Sequence, residues 1–184
     1  MIRSPEQLKN VLARELDQVK ITDVHTHLFS ADFGQMLLWG IDEVLTYHYL
    51  IAEYFRYSQM AYGDFFNLPK TRQADLVWQT LFLERSPVSE AQRGTLTILN
   101  KLGLCVQSGD LDEYREYFQS RTVEQQIDTV FELAGIKQVV MTNDPFDPQE
   151  RRVWQEGAGN QDPRFKAALR IDPLLMDYEN SYKT

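Results

Sequence analysis

An α/β fold on parallel strands, interrupted by a large helical insertion, is what this sequence predicts. Two observations carry the expectation. Short apolar runs rich in β-branched residues alternate with amphipathic helical stretches toward the C-terminus, which is the signature of parallel α/β architecture. The first strand connection is also far too long: from Leu28 to Gln138 is about 110 residues, where a right-handed crossover needs one helix. The surplus reads as a helical insertion standing over the C-terminal ends of the strands, where parallel sheets build their sites.

In chain order, residues 5–18 read as an amphipathic helix. Ser4 is its N-cap, Pro5 takes the first helical position, and Leu8, Val11, Leu12 and Leu16 form its stripe. VKITDVHTHLF is short and β-branched, and reads as the first strand. Residues 35–134 are almost entirely helical in pattern. Aromatic residues crowd the first half (Tyr47, Tyr49, Tyr54, Phe55, Tyr57, Tyr62, Phe65 and Phe66), and apart from Tyr49 they read as the insertion's core. Ser89–Lys101 and Leu111–Gln119 are two further helices, and Cys105 between them reads as a buried small apolar residue. Thr122 and Gln125 make a capping box for a helix with Val123, Ile127, Val130, Phe131 and Ala134 on one face. Gly135 stops that helix, and IKQVVMT follows as a buried strand. Asp147, Pro148 and Glu150 open another helix, after which FKAALRID reads as the third strand. The organisation is therefore 1–34, helix and first strand; 35–121, helical insertion; and 122–184, two βα units.

Composition excludes several classes. The chain of 184 residues carries 19 Lys plus Arg against 27 Asp plus Glu, a formal charge of −8, which repels nucleic acid and anionic membranes. One cysteine excludes a disulfide framework and every multi-Cys zinc site. No apolar run approaches the roughly 20 residues of a transmembrane helix, and the charged N-terminus is no signal peptide. A soluble, cytoplasmic protein is expected.

The strongest chemical signal is Asp23-Val24-His25-Thr26-His27. On a strand, His25 and His27 would share a face about 6.6 Å apart, with Asp23 one step deeper and Val24 and Thr26 turned toward helices. Two imidazoles at that spacing can reach one ion at about 2.0–2.1 Å, and Asp23 could orient one of them. The alternative is two solvated polar residues near a strand end.

ITDVHTHL resembles the first strand of the amidohydrolase superfamily of metal-dependent (β/α)8 barrels. Three further segments narrow the match: LWGIDEVLTYHYLIAEYFR (38–56), with Trp-Gly followed by His48-Tyr49; VVMTNDPFD (139–147); and ALRIDPLL (168–175). In this order they resemble the uronate (glucuronate) isomerase family. Its turn more often reads Thr-Thr-Asp-Asp-Pro, where Asn143 stands here, and its arginine motif Arg-Pro-Asp, where Ile171 stands.

The resemblance implies the N-terminal portion of a (β/α)8 TIM barrel with a large helical insertion after strand 1. Family members are more than twice as long, so the chain is read as a fragment that stops after the third of eight strands. The implied activity is aldose–ketose isomerisation of uronates: glucuronate to fructuronate, or galacturonate to tagaturonate. His25 and His27 would hold a divalent metal, with zinc the ion favoured by imidazole ligation and Mn2+ or Fe2+ as alternatives. Arg170 would clamp the carboxylate of the sugar acid, because its planar fork binds bidentately where a lysine cannot. His48 and Tyr49 would contact sugar hydroxyls or the carboxylate. The acidic base is expected on a later strand, beyond the end of the chain, and a homo-oligomer is expected. Bland roles stand beside these: Arg170 pairing with Asp144 or Asp172, Asp144 bonding its own turn, and His48-Tyr49 packing. Two other functions compete with the isomerase, a metal-dependent hydrolase of the same superfamily and a non-catalytic binding module.

Overall fold

A computed structural model of the protein describes residues 2–37, 39–144, 146–157 and 162–176. The first elements are helix α1 (Pro5–Asp17), strand β1 (Ile21–Asp23), a 3-10 segment (Ala31–Met36), and helices α2 (Ile41–Leu45), α3 (His48–Phe55), α4 (Tyr62–Phe66) and α5 (Lys70–Trp78). A π-helical turn (Gln79–Leu83) leads to α6 (Glu90–Lys101), α7 (Leu111–Gln119) and α8 (Val123–Leu133). Strand β2 (Ile136–Asn143), α9 (Pro148–Gln155), β3 (Phe165–Leu169) and α10 (Asp172–Met176) follow. Two compact units result: Met1–Leu37 with Val123–Thr184, and Leu38–Thr122. Among the described residues no helix is long and apolar enough to cross a membrane.

The first unit is the α/β part. Its strands lie in the order β1-β2-β3 and every pairing is parallel, as the alternating pattern predicts. Ile21 stands opposite Ile136, and the β2–β3 ladder runs from Val139 opposite Phe165 to Asn143 opposite Leu169. Gly135 makes the turn from α8 into β2 at φ 64°, a conformation side chains resist. Its carbonyl accepts the Ile21 N–H at 2.9 Å, which pins β1 to the start of β2. Along β2, Val139, Met141 and Asn143 alternate onto one buried face. There Ile127 and Phe131 of α8, Trp154 of α9 and Phe33 close the core with Phe165. Each such side chain fully buried contributes roughly 1.5–3 kcal/mol.

Helix α1 forms as its cap predicts, with Ser4 Oγ accepting the Gln7 N–H at 3.2 Å. Its apolar stripe is exposed, however: Leu8, Leu12 and Leu16 are all open to solvent. Strand β1 is also shorter than the run VKITDVHTHLF suggests, and the third strand ends at Leu169 rather than Asp172.

The second unit is wholly helical. Ser89 and Gln92 form a reciprocal capping box at α6, worth about 1 kcal/mol. Leu45, Phe65, Trp78, Leu81, Leu99 and Tyr114 form the heart of its core. The Glu84 N–H reaches back to the Gln79 carbonyl at 2.9 Å, the i−5 bond of the π turn. Two expectations are corrected here. Of the aromatics read as core, Tyr54 and Phe65 are buried, but Tyr57, Tyr62 and Phe66 lie largely in solvent. Aromatic density in sequence exceeded what short helices can cover. Cys105 is exposed: it sits in a turn where its carbonyl accepts Tyr114 Oη at 2.9 Å and its thiol donates to Gln107 Oε1 at 3.6 Å.

One ion cluster ties three helices of this unit. Arg115 of α7, with 15% of its side chain exposed, bonds Asp42 of α2 at 3.0 Å and Asp75 of α5 at 2.6 Å. It also reaches Asp112 at 2.9 Å on its own helix. Burial works against the guanidinium charge, but these three carboxylates outweigh it and push its pKa up. Arg115→Ala would leave Asp42 without its cation and Asp75 with Arg72 alone, at 3.3 Å. We expect a loss of about 2–3 kcal/mol in denaturant unfolding. A shift within experimental error would show the cluster to be solvated rather than structural.

Candidate functional site

The site is built on the C-terminal ends of three parallel strands. Because β1, β2 and β3 are adjacent and parallel, the residues that follow each of them emerge at one edge of the sheet. His25 and His27 follow β1, Asp144 follows β2, and Arg170 follows β3.

The two histidines are brought together, though not by a strand's pleat. β1 stops at Asp23 because side chains take over the backbone there. Asp23 Oδ1 accepts the His25 N–H at 3.1 Å, and Thr26 Oγ1 accepts the Leu28 N–H at 3.0 Å. These two turns set the imidazoles edge to face, 6.1 Å between centroids and 79° between planes. Both rings are exposed. Asp23, expected to orient an imidazole, accepts the backbone N–H of His25. Val24, expected against helices, is 69% exposed, since the alternation that would have turned it inward ends one residue earlier.

Arg170 leaves β3 with its N–H donated to the Asn143 carbonyl at 2.8 Å, one further rung of the ladder. Its Nε bonds Asp172 Oδ2 at 2.8 Å, and both side chains are more than half exposed. Of the two partners considered for Arg170, Asp172 is the one it takes. Such a pair is worth roughly 0–1 kcal/mol, so a better-placed carboxylate can displace it. Asp144 behaves as turn carboxylates do, its Oδ1 accepting the Phe146 N–H at 2.9 Å.

His48 and Tyr49 open helix α3 of the helical unit, and both are exposed. Their rings gather with Tyr47 in a small aromatic group of tilted and edge-on contacts: Tyr47–His48 and His48–Tyr49 centroids are each 4.2 Å apart, Tyr47–Tyr49 5.4 Å. Burial, and secondarily Tyr49, push the Tyr47 hydroxyl above its ordinary pKa.

Sequence reasoning missed one group. Glu150 looks like the third residue of a capping box, but its carboxylate passes the cap and runs to the end of β2. It accepts from Asn143 Nδ2 at 2.5 Å, the Asp144 N–H at 3.0 Å and Trp154 Nε1 at 3.3 Å. The cap is made by Asp147 Oδ1 alone, which takes the Gln149 and Glu150 N–H groups. An acid next to a cap whose alternative partner, Asn143, ends a buried strand is the signal that could have found it.

As a metal centre the described residues offer two imidazoles. No group of three or more His, Cys, Asp or Glu able to hold an ion occurs among them. The donor chemistry suits a divalent ion, with the remaining positions left to other groups.

No family model matches the chain, and no curated protein matches it. Among solved structures it matches the crystal structure of a uronate isomerase from Bacillus halodurans C-125, with a TM-score of 0.95 and 52% sequence identity. The match covers 100% of this chain and 43% of that one, so the chain spans under half the length of its relative. At 52% identity over the whole of its length, the chain is similar to part of a uronate isomerase.

Proposed function

We propose that the protein is a metal-dependent aldose–ketose isomerase acting on uronates, with glucuronate/fructuronate and galacturonate/tagaturonate as its substrate pairs. The observation that carries the reading is the 52% identity to a uronate isomerase over the whole of this chain.

In such a reaction a proton moves between adjacent carbons through an enediol, which requires a base, an electrophile and an anchor for the carboxylate. His25 and His27 would hold the divalent ion, most suitably zinc, with Mn2+ or Fe2+ as alternatives. When bound, it supplies Lewis-acid stabilisation of charge on a substrate oxygen. Arg170 takes the sugar carboxylate in its fork, exchanging Asp172 for the substrate. His48 and Tyr49 contribute donors and a ring face for the hydroxyls of the sugar. In a protein of net charge −8, Arg170 is the local positive point an anionic substrate needs. The group that moves the proton is not assigned within this chain. A hydrolase of the same architecture is less well supported, because the matched relative is an isomerase.

The test is turnover by the intact protein of D-glucuronate and D-galacturonate against a panel of lactones. Hydrolysis of a lactone without uronate turnover would replace this reading with the hydrolase. Within the reading, Arg170→Lys keeps the charge but loses the fork. Uronate binding should weaken by about 1.5–3 kcal/mol, measured as a rise in KM. Unchanged kinetics would leave Arg170 as the partner of Asp172 alone.

A further inference from the structure

Glu150 is 3% exposed and Asn143 4%, two polar side chains in an otherwise apolar layer between β2 and α9. The Glu150 carboxylate is satisfied by three donors from three places: the Asn143 amide, the Asp144 backbone and the Trp154 indole. The Asn143 amide is held at its nitrogen only, for Oδ1 is buried with no hydrogen-bond partner. Its orientation therefore depends on Glu150. The Asn143 carbonyl, in turn, receives the N–H of Arg170 at 2.8 Å.

From this chain of contacts we infer that Glu150 is a positioning residue for substrate-carboxylate recognition, fixing Asn143 and Asp144 at the end of β2 and, through the Asn143 carbonyl, the departure of Arg170 from β3. The inference rests on the functional reading above, because the role of Arg170 belongs to it. A carboxylate suits the task, since two oxygens can meet donors on both the strand end and the turn at once. Glutamine can keep both links to the turn. Its oxygen takes the Asp144 N–H, and its amide N–H meets Asn143 Oδ1 once the Asn143 amide turns over, which leaves Asn143 Nδ2 in place of Oδ1 as the atom without a partner. The indole bond is lost, but both links to the strand end remain.

The experiment is a double-mutant cycle in the intact protein with D-glucuronate as substrate. Glu150→Ala should raise KM about tenfold with kcat changed less than threefold, and Glu150→Gln should bring KM back to within about threefold of wild type. In an Arg170→Lys background, Glu150→Ala should add little, because the arrangement it supports is already spoiled. Glu150→Asp keeps the charge but draws it back by one methylene. It carries the same expectation as alanine and serves if the alanine variant does not fold. Folded variants with wild-type KM, or effects that multiply independently of Arg170, would overturn the inference while leaving the isomerase reading intact. A wild-type protein without uronate turnover would overturn both.

Discussion

His27→Ala in the intact protein should strip it of its divalent ion and of uronate turnover together. The two imidazoles stand 6.1 Å apart on a short turn, and both are exposed, so neither is needed for the core. Removing one leaves a single nitrogen donor from this chain, and metal affinity should fall by roughly a hundredfold or more, beyond the loss from disturbing an outer contact. Because the side chain is exposed, the melting temperature of the metal-free protein should hardly change. Elemental analysis beside a coupled turnover assay reads both quantities. Equal metal in wild type and variant would remove His27 as a ligand, whatever happened to the rate.

The largest effect on stability should come from Tyr114→Ala. Tyr114 is fully buried at the centre of the helical unit, its ring edge-on to Trp78 at 5.6 Å and its hydroxyl on the Cys105 carbonyl. Truncation opens a cavity between α5 and α7 and costs about 3–5 kcal/mol. For a chain of this length that is a fall on the order of 10 °C in Tm. Tyr114→Phe keeps the ring and removes one donor, and Ser108 Oγ still serves that carbonyl at 2.8 Å, so it should cost about 0.5–1.5 kcal/mol. Thermal melts of the two variants that coincide would show that the hydroxyl, not the packing, matters.

What could be read from the sequence was set by near neighbours. Ser4 with Pro5 and Asp147 with Pro148 mark helix starts within four residues, and both stand where expected, as does the helix read from Ser89 to Lys101. Gly135 closes α8 and starts β2 for the same local reason. The parallel sheet followed from alternation, and the arrival of His25, His27 and Arg170 at one edge followed from the sheet. The failures have longer range. Whether Tyr57, Tyr62 and Phe66 are covered depends on which helices reach them, and periodicity carries no such information. The strand β1 ends early because Asp23 and Thr26 bond the backbone, a competition that β-propensity does not register. Glu150 satisfied a local motif on paper and a tertiary one in space.

The pairing of β1 has a temporal consequence. β2 and β3 meet across a separation of about 26 residues, whereas β1 and β2 meet across about 115, with a helical unit between them. For a flexible chain the longer closure costs about 1.3 kcal/mol more entropy, and three residues of ladder return little of it. Assembly should therefore run from the β2–α9–β3 ribbon outward, with Ile21–Asp23 docking last, as late amide protection in pulse-labelled refolding would record. The turn that carries the histidines is thus laid down only after Arg170 is already in place, and a metal ion has no paired imidazoles to capture until β2 and β3 have already met.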